Sequence, residues 1–182
     1  MASKKLVTTM KEKAAAVQVI VSEVQNLEEA MAYAIDVTRN QGGASLAAPG
    51  WDEASRPALQ AGCAQAGLAL LGENLREHAG AIHTGLTRAD WGIADTGTLV
   101  LDASSEDLRL ATMLSETHIA VLPLSRLRAT SMDLEPELNR LALAPPRYLS
   151  FITGASRTAD IERVLTLGVH GPLELHLLLL KD

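Results

Sequence analysis

Two stretches of this chain carry side chains suited to binding a small anion and moving a proton on it. The first is Gly154-Ala155-Ser156-Arg157-Thr158-Ala159-Asp160, which follows the apolar run Tyr148 to Thr153. That run predicts a strand, and the residues from Ile161 to about Leu165 predict a short helix. Ser156 and Thr158 are plausible caps for the helix. Free backbone N–H groups at a strand-to-helix junction, with Arg157 beside them, make an anion site. The plainer reading, that the two hydroxyls only cap the helix, is the one spacing alone favours. The stretch is not a phosphate-binding G-x-x-x-x-G-K loop, and Thr158 stands where a G-x-S-x-G nucleophile elbow needs glycine. Asp160 and Glu162 fall in the first turn of the predicted helix. A carboxylate there either complements the helix dipole or serves as an acid, base or orienting group. Further on, Gly168-Val169-His170-Gly171-Pro172 is a glycine-flanked turn. Its imidazole suits proton transfer near neutral pH, although a lone loop histidine is more often just a polar surface group.

The second stretch is Asp95-Thr96-Gly97-Thr98, which joins the strand-like Trp91-Gly92-Ile93-Ala94 to Leu99-Val100-Leu101. So short a connection cannot hold a crossover helix, and it predicts an antiparallel hairpin. Asp95, Thr96 and Thr98 then sit at a tip where Gly97 lets a ligand approach the backbone. The same residues are also ordinary turn formers. His78 and His83 are five apart and His170 and His176 six apart, and neither spacing is a metal motif. The expectation is no protein-bound metal. Cys63, the one cysteine, reads as a small buried residue in an Ala-rich helix. A single thiol can neither close an intrachain disulfide nor hold an iron–sulfur cluster, so a reducing cytoplasm is expected.

The elements that must position these residues alternate along the chain. Val17 to Val21 predicts a strand, and Asn26 caps a helix from Leu27 that stops near Gly42-Gly43. Ala44 to Ala48 is a second apolar run. Asp52 is expected to cap a helix to about Gln65, closed by Gly67, and Leu68 to Leu71 is a third run. This rhythm predicts a mostly parallel sheet covered by helices. After the hairpin, Ser104 or Ser105 begins a helix through Met113, and His118 to Leu122 forms a strand stopped by Pro123. Met132 to Leu143 is helical with Leu134, Leu138 and Leu141 on one face, and Leu173 to Leu180 is the last strand.

The 182 residues fit a single domain, 1–182, with 47% hydrophobic and 21% charged residues. The net charge is −6, the basic residues are scattered and aromatics are 3%, which argues against nucleic-acid binding. No apolar run approaches a membrane span, and the start lacks a clean signal-peptide pattern.

Several segments together resemble a known family. These are A-D-W-G-I-A-D-T-G-T-L-V-L at 89–101, H-I-A-V-L-P at 118–123, G-A-S-R-T-A-D-I-E at 154–162 and G-V-H-G-P at 168–172. In that order they are similar to the LUD domain, specifically the lactate utilisation protein C family, across essentially the whole chain. The resemblance implies a Rossmann-like three-layer α/β sandwich with a mixed, mostly parallel sheet, like the ribose-phosphate isomerase and CoA-transferase superfamily. It also implies a part in bacterial oxidation of L-lactate to pyruvate. There the chain would act beside iron–sulfur partner proteins, as a member that holds no redox cluster itself. The family commonly has Glu where this chain has Asp95, and Pro where it has Ala155.

The resemblance joins 95–98 and 154–162 into one expected site. Asp95, Thr96, Gly97, Thr98, Gly154, Ser156, Arg157 and Thr158 would bind a small anionic ligand, and Asp160 or His170 would handle the proton. Because a fold hosts many chemistries, two other readings stay open. One is a stand-alone enzyme for a phosphorylated or CoA-linked metabolite, and the other is a non-catalytic binding module.

Overall fold

The computed structural model describes residues 3–143, 145, 147–159 and 164–182. The chain opens with a helix, α1 (Lys4–Ala16), capped by the Ser3 side chain. It then runs through β1 (Ile20–Val24), α2 (Leu27–Asn40), β2 (Ser45–Ala47), α3 (Arg56–Ala66), β3 (Ala69–Leu71) and β4 (Thr84–Arg88). A hairpin of β5 (Trp91–Ile93) and β6 (Thr98–Asp102) leads to α4 (Glu106–Leu114), β7 (Thr117–Pro123) and β8 (Leu127–Arg128). The remainder is α5 (Glu135–Ala142), β9 (Leu149–Ile152), β10 (Arg157–Thr158), β11 (Thr166–Leu167) and β12 (Glu174–Leu180).

Six strands form one sheet in the order β1-β12-β7-β4-β2-β3, and every neighbouring pair is parallel. The antiparallel pairs lie beside it: β5–β6 and β6–β9 in a second sheet, β8-β5-β6-β9, whose β5–β8 pair is parallel, and β10–β11 in a two-stranded ladder. Parallel strands covered on both faces read as continuous aliphatic runs, and β7 and β12 do. Ile119 and Val121 face α2 and α3, and their chain neighbours Ala120 and Leu122 face the other way. On the first face, Ala30, Met31 and Ala34 of α2 and Leu59 and Cys63 of α3 close the core. On the second, Met10 and Ala14 of α1 pack with Leu99 and Leu101 of the second sheet. Ala111 of α4 packs with Ala47 on this same side. The outer face of the second sheet, Trp91, Ile93 and Val100, is covered by Leu134 with Leu138 and Leu141, the predicted apolar stripe.

Local chemistry sets the ends of the elements. The Asn26 side chain accepts the Glu29 N–H at 2.9 Å, and Gly67, at φ 72°, closes α3. Asp52 does not begin α3. It accepts the Ser55 N–H at 2.8 Å in a turn ahead of the helix, which starts at Arg56 with Pro57 in its first turn. The expected strand at Val17 starts later because α1 reaches Ala16 and Gln18 takes a left-handed φ of 62°. β4 carries Thr84 and Thr87 where an apolar run would be expected. Thr84 receives the hydroxyl of Thr38 at 2.8 Å, and Thr87 lies 2.8 Å from Nε2 of His118, so both are buried with partners.

Candidate functional site

The two predicted stretches meet. Thr98 lies 2.8 Å from the Thr96 hydroxyl and 2.7 Å from that of Thr153, the last residue before Gly154. Both stretches press on the end of α1. A Cβ at Gly97, where φ is 67°, would lie 2.5 Å from the Ala14 nitrogen, and one at Gly154, where φ is 81°, would lie 2.8 Å from the Val17 carbonyl oxygen. Only glycine permits either approach.

Beyond Gly154 the structure departs from the expected helix entrance. Arg157 and Thr158 pair antiparallel with Leu167 and Thr166, so Ser156 and Thr158 do not cap a helix. Val164 and Leu165 are not helical, and Asp160, Glu162 and the start of the predicted helix lie outside the described residues. A two-strand ladder spends backbone groups that a helix entrance would have left free. The Ser156 N–H donates to the Pro172 carbonyl and the Ser156 carbonyl accepts the Gly168 N–H, both at 3.0 Å. The histidine turn is thereby tied to the Ser156 segment.

The result is a groove of about 460 Å³ whose walls include Gly154, Ser156, Arg157, His170 and Gly171 together with Phe151 and Met113. A second hollow of about 490 Å³ continues past His170 to Leu173 and Glu116. Arg157 is exposed and gives one N–H to the Val17 carbonyl. The guanidinium fork has further N–H donors for a carboxylate. His170 is exposed on the same groove. Of the hairpin tip, Asp95 and Thr96 are exposed while Gly97 and Thr98 are buried. The tip therefore braces the groove through Thr153 and does not line it. Among the described residues, no group of three or more His, Cys, Asp or Glu side chains could hold a metal ion.

The groove lies at the amino end of the parallel sheet. Leu173 N–H donates to the Glu116 carbonyl just before β12 and β7 begin, and Gly154 touches Val17 ahead of β1. Open α/β sheets usually bind ligands at the other end, where successive connections diverge. Here that point lies between β2 and β4, because the chain passes from β2 out to β3, returns to β4 on the far side of β2, and continues away to β7 and β12. A crevice of about 310 Å³ sits there, lined by Pro49, Gly50, Arg88, Asp90, Asp102 and Ser105. Asp90 accepts the Asp102 N–H at 2.7 Å, and Arg88 is 3.9 Å from Asp52. Hydrogen bonds from Ser104 and the Arg147 guanidinium hold the Asp102 carboxyl below the usual carboxylate range. The sequence reading missed this crevice because its residues come from three separate segments. The available signal was Pro49-Gly50 directly after an apolar run, the turn expected at the carboxyl end of a parallel strand.

Residues 7–180 match the LUD domain. Curated relatives named Lactate utilization protein C include one from Halalkalibacterium halodurans, 35% identical over 114 residues, 61% of this chain and 50% of that protein. Another, from Bacillus subtilis, is 34% identical over 113 residues, 60% of this chain and 47% of that protein. The chain thus spans about half the length of the curated relatives it matches. A crystal structure of a DUF162 family protein from Deinococcus radiodurans superposes with a TM-score of 0.63, covering 99% of each chain at 18% identity, a likeness of fold. With a family match across nearly its whole length, the chain belongs to the LUD domain family.

Proposed function

We propose that this chain is a component of bacterial L-lactate utilisation, the oxidation of L-lactate to pyruvate, and that it acts with iron–sulfur partner proteins while holding no cluster itself. The observation that carries this reading is the 32–37% identity to proteins named Lactate utilization protein C. Deleting the gene is expected to abolish growth on L-lactate in a strain without a paralogue, and normal growth would refute the role. The proposed location is the cytoplasm; no described helix is long and apolar enough to cross a membrane.

The proposed ligand is a small carboxylate, bound in the groove by Arg157 with Ser156 and Gly154, and braced by Asp95, Thr96, Gly97 and Thr98, while Thr158 pairs with Thr166 in the adjoining ladder and does not line the groove. His170 on the groove handles its proton, and Asp160, the other candidate for that role, lies outside the described residues. Exposed Met113, Leu114, Phe151, Val169 and Leu173 surround the groove. Such a collar marks a face that partners cover, and it is where an iron–sulfur protein would dock. A second reading places the carboxylate on Arg88 in the crevice between β2 and β4, favoured by the divergence of the connections there. Calorimetric titration of pyruvate and L-lactate into Arg157→Gln and Arg88→Gln separates the two. The groove reading expects binding to fall at least tenfold in the first variant and to persist in the second. The reverse result moves the site to the crevice. Turnover of a sugar phosphate or CoA ester by the purified chain would instead favour a stand-alone enzyme.

A further inference from the structure

The second sheet ends on an open strand. β9 pairs with β6 on one side, and among the described residues no strand pairs with its other side. The Ala103 N–H donates to the Tyr148 carbonyl at 2.7 Å. In the alternation of an antiparallel ladder, Ser150 and Ile152 are then the β9 residues bonded to β6. Leu149 and Phe151 turn their N–H and C=O groups outward, away from the sheet. Ser150, Phe151 and Ile152 are consecutive and their side chains alternate between faces, yet all three border the groove beside His170. The groove therefore runs along the open edge, on the side where one more strand would lie.

Strand edges that face water are usually blunted by a charge, a proline or brevity. The other sheet ends follow that rule: β1 carries Glu23, which Lys11 of α1 holds, β3 has three residues, and β8 has two, one of them Arg128. β9 is Leu-Ser-Phe-Ile, with neither charge nor proline. Phe151 is 52% exposed and Tyr148, just ahead of the strand, 68%. Met113, Leu114, Val169 and Leu173, each 42–55% exposed, extend this apolar surface along the groove and the hollow next to it. Half-exposed side chains of this size offer about 100 Å² apiece, on the order of 600 Å² together. That is most of the roughly 800 Å² that each partner buries in a stable interface. Arg147, the charge nearest the start of the strand, is already paired with Asp102.

We propose that a second copy of this chain covers the face, with the two β9 strands pairing antiparallel about a two-fold axis at Ser150. The outward groups select this register. Leu149 exchanges both backbone hydrogen bonds with the partner's Phe151, and by symmetry Phe151 does so with the partner's Leu149. Leu149 then lies beside the partner's Phe151 on one face, and Tyr148 beside the partner's Ile152 on the other. Aromatic–aliphatic cross-strand pairs of this kind stabilise antiparallel ladders. Ser150, the smallest side chain of the strand, meets its own copy at the axis. A two-fold axis at Phe151 would instead draw in Thr153 and Gly154, which Thr98 and Val17 already hold. An iron–sulfur protein docking on this collar would displace the second copy, but the self-pairing rests on neither lactate nor that partner.

The test is sedimentation velocity of the full chain across roughly 1–100 μM. The mass is expected to rise from 19.3 kDa toward twice that value. Phe151→Lys puts a charge on the edge and is expected to weaken self-association at least tenfold. Its Tm is expected to stay close to that of wild type, because the side chain is half exposed. Ser150→Cys is expected to give a disulfide-linked dimer on mild oxidation, since opposed residues of a non-bonded pair stand about 4.5 Å apart at Cα. Leu149→Cys is not, because its two copies lie about 7–8 Å apart on the diagonal. Cys63, 1% exposed, stays out of the reaction. A wild-type chain that is monomeric throughout would leave the edge to a different protein and overturn the proposal. So would association that grows past the dimer, Phe151→Lys pairing as tightly as wild type, or Leu149→Cys cross-linking as readily as Ser150→Cys.

Discussion

Replacing His118 by Gln is expected to flatten the acid side of the stability curve. His118 sits in β7, 1% exposed, with Nε2 at 2.8 Å from the Thr87 hydroxyl. Burial, helped by the neighbouring His176, pushes its pKa from 6.5 down to about 4. The folded protein thus holds a neutral imidazole, whereas the unfolded chain takes up a proton near pH 6.5. The sign follows: stability is fully present above pH 6.5 and drains away as pH falls toward 4. Linkage puts the loss at about 2 kcal/mol by pH 5 and about 3 kcal/mol below pH 4. Gln keeps a polar partner for Thr87 and does not titrate. Urea unfolding of both proteins at pH 7.5 and 5.0 gives the change on acidification for each, and the histidines that do not interact with His118 drop out of the difference. Wild type is expected to lose about 2 kcal/mol more than the variant over that interval. Parallel curves would mean that His118 is charged or solvated in the fold, and the reasoning from burial would fail.

Three substitutions probe the rest of the framework. Gly97→Ala forces a Cβ against the backbone of Lys13 and Ala14 at a φ of 67°. It is expected to cost about 2–4 kcal/mol and lower Tm by about 5–10 °C in thermal unfolding. Thr98→Val removes the hydroxyl between Thr96 and Thr153 and should cost about 1–2 kcal/mol by urea titration, with a larger loss of carboxylate binding in the groove than of stability. Leu122→Ala opens a cavity between the two sheets, where Leu122 is 0% exposed. It is expected to cost about 2–5 kcal/mol, and a value under 1 kcal/mol would show that the sheets close over the gap.

Where local chemistry and burial agree, the elements are legible in the residues themselves. Asn26 with Glu29, Ser105 ahead of α4, and the aliphatic runs of β7 and β12 each signal one element, and each forms as expected. The failures share a cause. β4 reads T-G-L-T-R, and no sequence pattern reveals that Thr84 and Thr87 find partners on other elements or that a side chain at Gly85 would overlap the Ala111 carbonyl. α1 is hidden by its charges, because only Met10 and Ala14 are buried along it. Ser156 and Thr158 have the composition of helix caps, but a partner strand a few residues further on claims the backbone of Thr158. Contact between the hairpin tip and Gly154 is expected from the family pattern alone. Its physical basis, the Thr98–Thr153 bond and the close approach of two glycines to α1, is visible only in three dimensions.

That shared approach makes the end of α1 the fixed point of the candidate groove. The second sheet touches the first through Gly92, where a side chain would overlap Leu122, and it carries both the tip at 95–98 and the strand that ends just before Thr153. Arg157 is bonded to Val17 in the same α1–β1 turn. Two separate segments, the hairpin tip and the stretch from Gly154 to Arg157, are therefore located by Lys13 to Val17, which meets them with backbone atoms. A lesion that shifts this turn should loosen the hairpin tip, Gly154 and Arg157 together. Hydrogen exchange on Gln18→Pro distinguishes this from local fraying. A proline cannot hold the φ of 62° that Gln18 adopts. Amides at 97–98 and 154–157 are expected to lose protection in step with those at 17 and 19, while β7 and β12 stay protected. Loss confined to 17 and 19 would separate the groove from α1 and leave the second sheet as its support.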